Sequence, residues 1–373
     1  MQLTALSTVK HRIAVGHPLP FNVRDHDRTL LLARGQKVLT QDQLEALLER
    51  GALVDITELL TPRERLMQAP RTALPGMWNE GLTRVHRALL HAPHPSFSLV
   101  LDEASEAVLG LVERDPNLAI FQVLRQQGGA DTTYGVRRSL HTAITSYLVA
   151  HRLGWDPAAL ERVFKIALTM NLSMLELQGE LARQRTPPTA DQRVELLTHP
   201  MRSVELLANA GIRDDDWLQA VARHHEQEDG TGYPTGRSDV GELASLVRRA
   251  DVYTAKLASR SHREALSADQ AGRQMFMQDP GHPMTAALVK EFGIYPPGAF
   301  VRLASGETGV VVARGPTVST PIVSVLCTAH GAALTQPERR DTSLDRFAIQ
   351  AVVGENGLPV KVPTDRLMQL TVG

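Results

Sequence analysis

A single cysteine, Cys327, stands in 373 residues. One thiol cannot close an intramolecular disulfide, and it excludes a zinc cluster built on several thiolates. Aromatic residues are scarce, 4% of the chain, which argues against a surface on which nucleobases stack. Neither sign of charge dominates: 40 basic residues face 41 acidic ones, for a formal net charge of −1. No basic field points to nucleic acid, and no block of like charge forms an interaction tail. Long hydrophobic runs are missing too, with no stretch of about 18 apolar residues to span a bilayer. Lys10, His11 and Arg12 interrupt the N-terminal stretch before the apolar core of a signal peptide can form. The expectation is a cytoplasmic chain without a membrane span. Internal repeats and low-complexity tracts are absent.

What is present is ordinary globular composition, 43% hydrophobic and 22% charged, over a length that suits two or three domains. Residues 19–36 hold an extended run, a polar turn at Asp25–Arg28 and the apolar run Thr29–Leu32, the pattern of a hairpin. Thr40 is placed to cap a helix over QDQLEALLER, which Gly51 ends. These features predict a small α+β unit over residues 1–60. Residues 61–76 carry three prolines and no clear period, which predicts a linker. From 77 to 291 apolar residues recur at three- and four-residue spacing, as at Leu99, Leu101, Ala104, Ala107, Val108 and Leu111. A helical domain follows from that, with helices expected near 97–114, 134–154, 157–176, 190–210 and 241–258; Pro200 and Gly211 read as start and stop signals. From 292 to 373 apolar and polar residues alternate between glycine-containing turns, which predicts a small β subdomain. The fold class is mainly α.

Fourteen histidines are many for this composition. His141 sits in a helix rich in small and apolar residues, and His199 precedes Pro200 at an expected helix N-terminus. His224 and His225 follow the apolar helix DWLQAVAR, Asp229 comes four residues after His225, and Asp251 lies on an amphipathic helix. Neutral imidazole is the commonest protein ligand for transition metals, and carboxylates complete such sites. Residues of these types on several helices could converge on metal in a bundle core, though a lone helical histidine is more often structural. The adjacent pair opens HHEQEDGTGYPTG, residues 224–236. Gly230 and Gly232 allow positive φ or close backbone approach, and Pro234 fixes the chain after Tyr233. Read alone, the stretch fits a helix end with a turn, a recognition loop or a metal site.

HHEQEDGTGYP resembles the HHExxDGxGYP signature of the HD-GYP family, a branch of the HD-domain metal phosphohydrolases. His141 matches the family's first histidine. THPMRSVELL is similar to its HPxxG-type helix, with Ser203 in place of glycine, and RRADVYTAKLASRSHR is similar to its ADxYDALTxxRPYR helix. The resemblance covers roughly residues 100–315 and implies a helical HD-domain bundle. It implies cyclic di-GMP as ligand, hydrolysed in typical members by a hydroxide on two or three divalent ions. His199, His224 and His225 then match one metal subsite, His141 and Asp251 what is left of another, and Arg260 and Arg263 match phosphate-facing positions. The loop Asp229, Gly230, Gly232, Tyr233 and Pro234 matches one associated with diguanylate-cyclase domains.

This sequence departs from the family where it matters most. The stretch aligned with the name-giving HD dipeptide is IALTMNLSM, so Met170 and Asn171 replace histidine and aspartate, Ser173 a glycine and Met174 a lysine. Arg137 stands where a glutamate is common, and Thr254 and Lys256 alter the aspartate helix. An aspartate can bridge two cations because it is anionic with two good donors; Asn171 is neutral, and the Met170 thioether suits only soft metals. Met174 cannot offer a cation to phosphate. The resemblance thus implies a degenerate member holding one divalent ion (iron, zinc or manganese) or none. Three readings stand: a non-catalytic or weakly catalytic regulator that binds cyclic di-GMP, a partner protein, or both; an active phosphodiesterase with a reduced metal site; and a module that docks a diguanylate cyclase or other signalling protein through the loop.

Overall fold

The structure is a computed structural model and describes residues 3–59, 62–92, 94–126, 133–259, 261 and 263–373. The chain divides into two compact units after Ala69. In the first, strands β1 (Leu3–Ala5), β2 (Val23–Arg24), β3 (Leu30–Leu32) and β4 (Leu53–Asp55) form an antiparallel sheet in the order β1-β4-β2-β3. β2 and β3 are the expected hairpin, with Val23 opposite Leu32. Helix α1 (Gln41–Glu49) starts where Thr40 Oγ1 accepts the backbone N–H of Gln43, at 3.2 Å. Leu6, Phe21, Val23, Leu44 and Val54 form the core of this unit. Helix α2 (Ile56–Leu59) follows β4.

The stretch expected to be a linker is largely helical, a correction. It contains α3 (Pro62–Gln68) and the start of α4 (Leu74–Leu90). Its prolines misled: Pro62 opens α3 and Pro75 lies in the first turn of α4, positions where a missing N–H removes no helix bond.

The second unit continues through α5 (Phe97–Arg114), α6 (Pro116–Leu124), α7 (Tyr134–Arg152), α8 (Pro157–Thr169), α9 (Leu175–Arg183), α10 (Ala190–Asn209), α11 (Asp215–Arg223), α12 (Glu242–Leu257), α13 (Ala268–Gln278) and α14 (Pro283–Phe292). α7 is the central helix: apart from Arg137, every residue from Tyr134 to Ala150 is buried. It packs against α8, α9, α12 and α14. α9 comes so close that a β-carbon on Gly135 would lie 2.2 Å from the Leu175 carbonyl oxygen, so only glycine fits. On α5, Leu101, Ala104, Val108 and Leu111 are buried, whereas Leu99 faces solvent.

Two expected helices are redrawn. The one expected over 157–176 breaks after Thr169, passes through a 3-10 turn at Leu172–Met174 and resumes as α9. Thr169 Oγ1 bonds back to the Lys165 carbonyl at 2.8 Å and accepts Trp217 Nε1–H at 3.0 Å, while Asn171 leaves helical geometry. Conversely, Pro200 is no boundary: α10 begins at a Thr189–Gln192 capping box and runs through it. His199 is therefore mid-helix.

Beyond α14, strands β5 (Phe300–Leu303), β6 (Thr308–Ala313), β7 (Ile322–Cys327), β8 (Arg339–Asp341) and β9 (Ile349–Val352) form an antiparallel sheet in the order β8-β7-β6-β5-β9. Val301, Leu303, Val311, Val323 and Val325 are its core. The last segment is not β structure: α15 (Thr364–Val372) packs against α4 and α6. No described helix is long and apolar enough to cross a membrane.

Candidate metal centre and glycine loop

His199 projects from the middle of α10, His224 caps the end of α11, and His225 follows in the turn beyond it. One ring nitrogen of each lies within 4.8 Å of the others. The backbone sets the chemistry of two of these rings. Pro200 has no N–H to give the Leu196 carbonyl four residues back, and His199 Nδ1 bonds to that oxygen instead, at 2.6 Å. At the end of α11, His224 Nδ1 bonds to the Val221 carbonyl at 2.7 Å. Each Nδ1 must donate, so each Nε2 keeps a lone pair. The two Nε2 atoms stand 3.1 Å apart, and between two acceptors that approach is not a hydrogen bond. It is the spacing of two ligands around one cation, since nitrogen–metal bonds are about 2.0–2.1 Å long. Burial, then the neighbouring imidazole, lowers each of the three histidines to about 3, so all are neutral at pH 7. These residues fit one divalent ion.

A second ion is not supported in the same way. Asp251, on α12, does not join the histidine group; its Oδ1 accepts Arg138 Nη2–H at 2.7 Å. The Arg138 side chain is 5% exposed, and its Nη1 donates to Thr254 Oγ1 at 3.2 Å. Thr142 Oγ1 lies 3.1 Å from Thr254 Oγ1 and 3.4 Å from Asp251 Oδ1. A guanidinium thus supplies the positive charge that a metal ion would bring to this carboxylate. His141 also stays outside the group; burial, then Arg138 and Arg137, lowers it to about 3, and its Nδ1 is buried without a partner among the described residues. Met170, Asn171 and Met174 are all buried, and Asn171 Oδ1 has no partner among the described residues. The donor set here does not fit a second hard cation. Ser173 and Ser203, at the two aligned glycine positions, bond to each other at 3.1 Å, and Ser173 Oγ donates to the His199 carbonyl at 3.0 Å.

Arg263 is exposed and its Nη2 donates to the Ala255 and Ala258 carbonyls, which caps α12. Arg260 lies outside the described residues.

The glycine loop is organised by Glu226, to which sequence reasoning assigned no role although it is the third letter of HHE. Its carboxylate is fully buried. It accepts Thr235 N–H at 2.7 Å, the Thr235 hydroxyl at 2.6 Å and Arg237 N–H at 3.1 Å; against the upward push of burial, these bonds hold its pKa down. Tyr233 stacks on His225 with ring centroids 4.5 Å apart, and its N–H bonds to the His225 carbonyl. Gly232 permits this: a β-carbon there would meet backbone of residues 225–227 at 2.4–2.5 Å. Asp229 is exposed and closes a turn by accepting Thr231 N–H and hydroxyl at 2.9 and 2.7 Å, so it does not converge with the histidines. Gly230 takes φ 76°, and Pro234 is exposed at the tip. Glu228 anchors the loop to buried Arg249, itself paired with Asp279; against burial, Ser245 and Arg249 hold Glu228 at about 2. Arg138 was missed as well, although its place three residues before His141 puts both on one helix face.

Residues 129–279 match the family described as the HD domain. The cyclic di-GMP phosphodiesterase PA4108 of Pseudomonas aeruginosa is 28% identical over 237 residues, 62% of this chain and 55% of that protein. Residues 129–279 thus resemble an HD domain, and the chain is similar to cyclic di-GMP phosphodiesterases. Response regulator RpfG of Xanthomonas campestris, also a cyclic di-GMP phosphodiesterase, is 28% identical over 44% of each chain. A cyclic di-GMP phosphodiesterase of Vibrio cholerae is 29% identical over 40% of this chain and 32% of its own length. The chain therefore spans about half the length, or less, of these relatives. Among solved structures, Bd1817, an HDG"Y"P protein from Bdellovibrio bacteriovorus, aligns with TM-score 0.48 at 16% identity, covering 77% of this chain and 97% of that one.

Proposed function

We propose that this chain is a non-catalytic or weakly catalytic regulator of the HD-GYP type in cyclic di-GMP signalling, with one divalent ion held by His199, His224 and His225. The observation that carries this reading is the Arg138–Asp251 ion pair, which engages the carboxylate a second ion would need. Met170 and Asn171 at the aligned HD positions support it, because neither can bridge cations. The relatives' names supply the ligand class. The three imidazoles would orient one ion, which, when bound, supplies Lewis-acid character towards a phosphate oxygen. Purified protein spanning residues 1–373 should contain about one metal per chain by elemental analysis and bind cyclic di-GMP saturably in calorimetry, forming little or no linear product when Mn²⁺ or Fe²⁺ is supplied. Complete linearisation over many turnovers would overturn the regulator reading in favour of an active phosphodiesterase with a reduced site, which the three preformed histidines favour. A flat titration would remove the nucleotide and leave protein docking through the loop, whose exposed Pro234 favours it.

A further inference from the structure

We propose a second binding site, for a phosphate-bearing small molecule, in the cleft where the end of α7 and α14 meet the β6–β7 connection. The cleft has a volume of about 470 Å³, within the range of small-molecule sites. Among the described residues, three cationic side chains line it, Arg152, Lys290 and Arg314, and no acidic one does. A single carboxylate, buried Glu291, serves two of them from behind. Its Oε2 accepts Arg152 Nε–H at 2.5 Å and its Oε1 accepts from Arg314 Nη1, while Arg314 Nε–H reaches Asn117 Oδ1 at 3.1 Å. Both guanidinium groups are thus held in place before any ligand arrives, and one negative charge is set against three positive ones.

Donors remain. Among the described residues, both Nη groups of Arg152, Nη2 of Arg314 and Nζ of Lys290 have no protein acceptor. The Nη pair of Arg152, one Nη of Arg314 and an ammonium suit an anion with several oxygens, which is the geometry of phosphate. The connection that follows Arg314 is tight. A β-carbon on Gly315 would lie 1.7 Å from the Thr320 carbonyl oxygen, and the Thr317 and Thr320 hydroxyls bond at 2.6 Å, leaving Thr317 at the cleft. None of these residues belongs to the histidine centre or its loop, so the site stands independently of the function proposed above.

Calorimetry on the full chain at constant ionic strength, with inorganic phosphate, pyrophosphate and 5′-GMP as separate probes, tests the site and ranks the sources of phosphate. At least one probe should bind saturably. Lys290→Glu should weaken it at least about ten-fold, the loss of one charge-assisted bond with added repulsion, and Lys290→Arg should retain it. Lys290 is exposed, so these variants should melt with the parent chain. His224→Ala should leave the affinity unchanged. Flat titrations with all three probes up to about 10 mM overturn the proposal, as does binding that Lys290→Glu leaves intact or that His224→Ala abolishes.

Discussion

Pro200 withholds an N–H from the Leu196 carbonyl, and His199 Nδ1 takes that oxygen. A backbone defect becomes the means of orienting a ligand. His224→Ala should therefore abolish metal retention, whereas Pro200→Ala, which restores a competing donor, should weaken it by about ten-fold; chelator competition measures both. The same imidazoles make the metal-free protein sensitive to acid. Their folded pKa lies below the unfolded value of 6.5, at about 3, so the unfolded chain binds protons first as pH falls. Above pH 6.5 they add nothing to the pH dependence. Stability should decline as pH falls from 6.5 towards 3 and be partly regained with metal, as denaturant titrations at stepped pH would show. Arg138→Met leaves Asp251 without its partner and should cost about 3 kcal/mol. Replacing Met170 by His and Asn171 by Asp should not add a second metal while Arg138 holds Asp251. Adding Arg138→Met to that pair should, and metal stoichiometry decides.

The loop from Glu226 to Arg237 behaves as one element because a buried carboxylate gathers its N–H groups. Glu226→Gln keeps the shape but loses charge-assisted bonds, at about 2 kcal/mol. Gly232→Ala should lift Tyr233 off His225, seen as faster amide exchange at Tyr233 and Thr235. The loop motif was legible in the sequence; its organiser was not, since hydrogen bonds between residues nine and eleven apart leave no periodic trace. The helices show the same limit. Periodicity placed α5, where one face is buried throughout, and a run of small and apolar residues placed α7, which is buried nearly all round. It ran through the break after Thr169, because that break depends on a hydroxyl held by Trp217, 48 residues away. It stopped wrongly at Pro200, because a capping box and surrounding packing carry α10 past a residue that propensity disfavours.

Across the whole molecule, the separation after Ala69 predicts that residues 70–373 fold without the first unit. That fragment, expressed alone, should retain the metal-to-protein ratio of the full chain; loss of metal with retained helicity would contradict it. The C-terminal sheet belongs to the same unit as the helices, tied to them by Glu291, Arg314 and Asn117.

By itself the sequence determined the mainly helical class, the hairpin and capped helix of the first unit, and which histidines to watch. These depend on local propensity, on period and on a contiguous motif. Only the tertiary structure decided that His199, His224 and His225 meet, that Ser173 pairs with Ser203, and that Arg138 reaches Asp251, 113 residues away. A metal ligand and a salt-bridge partner are defined by distance in space, and a sequence records only distance along the chain.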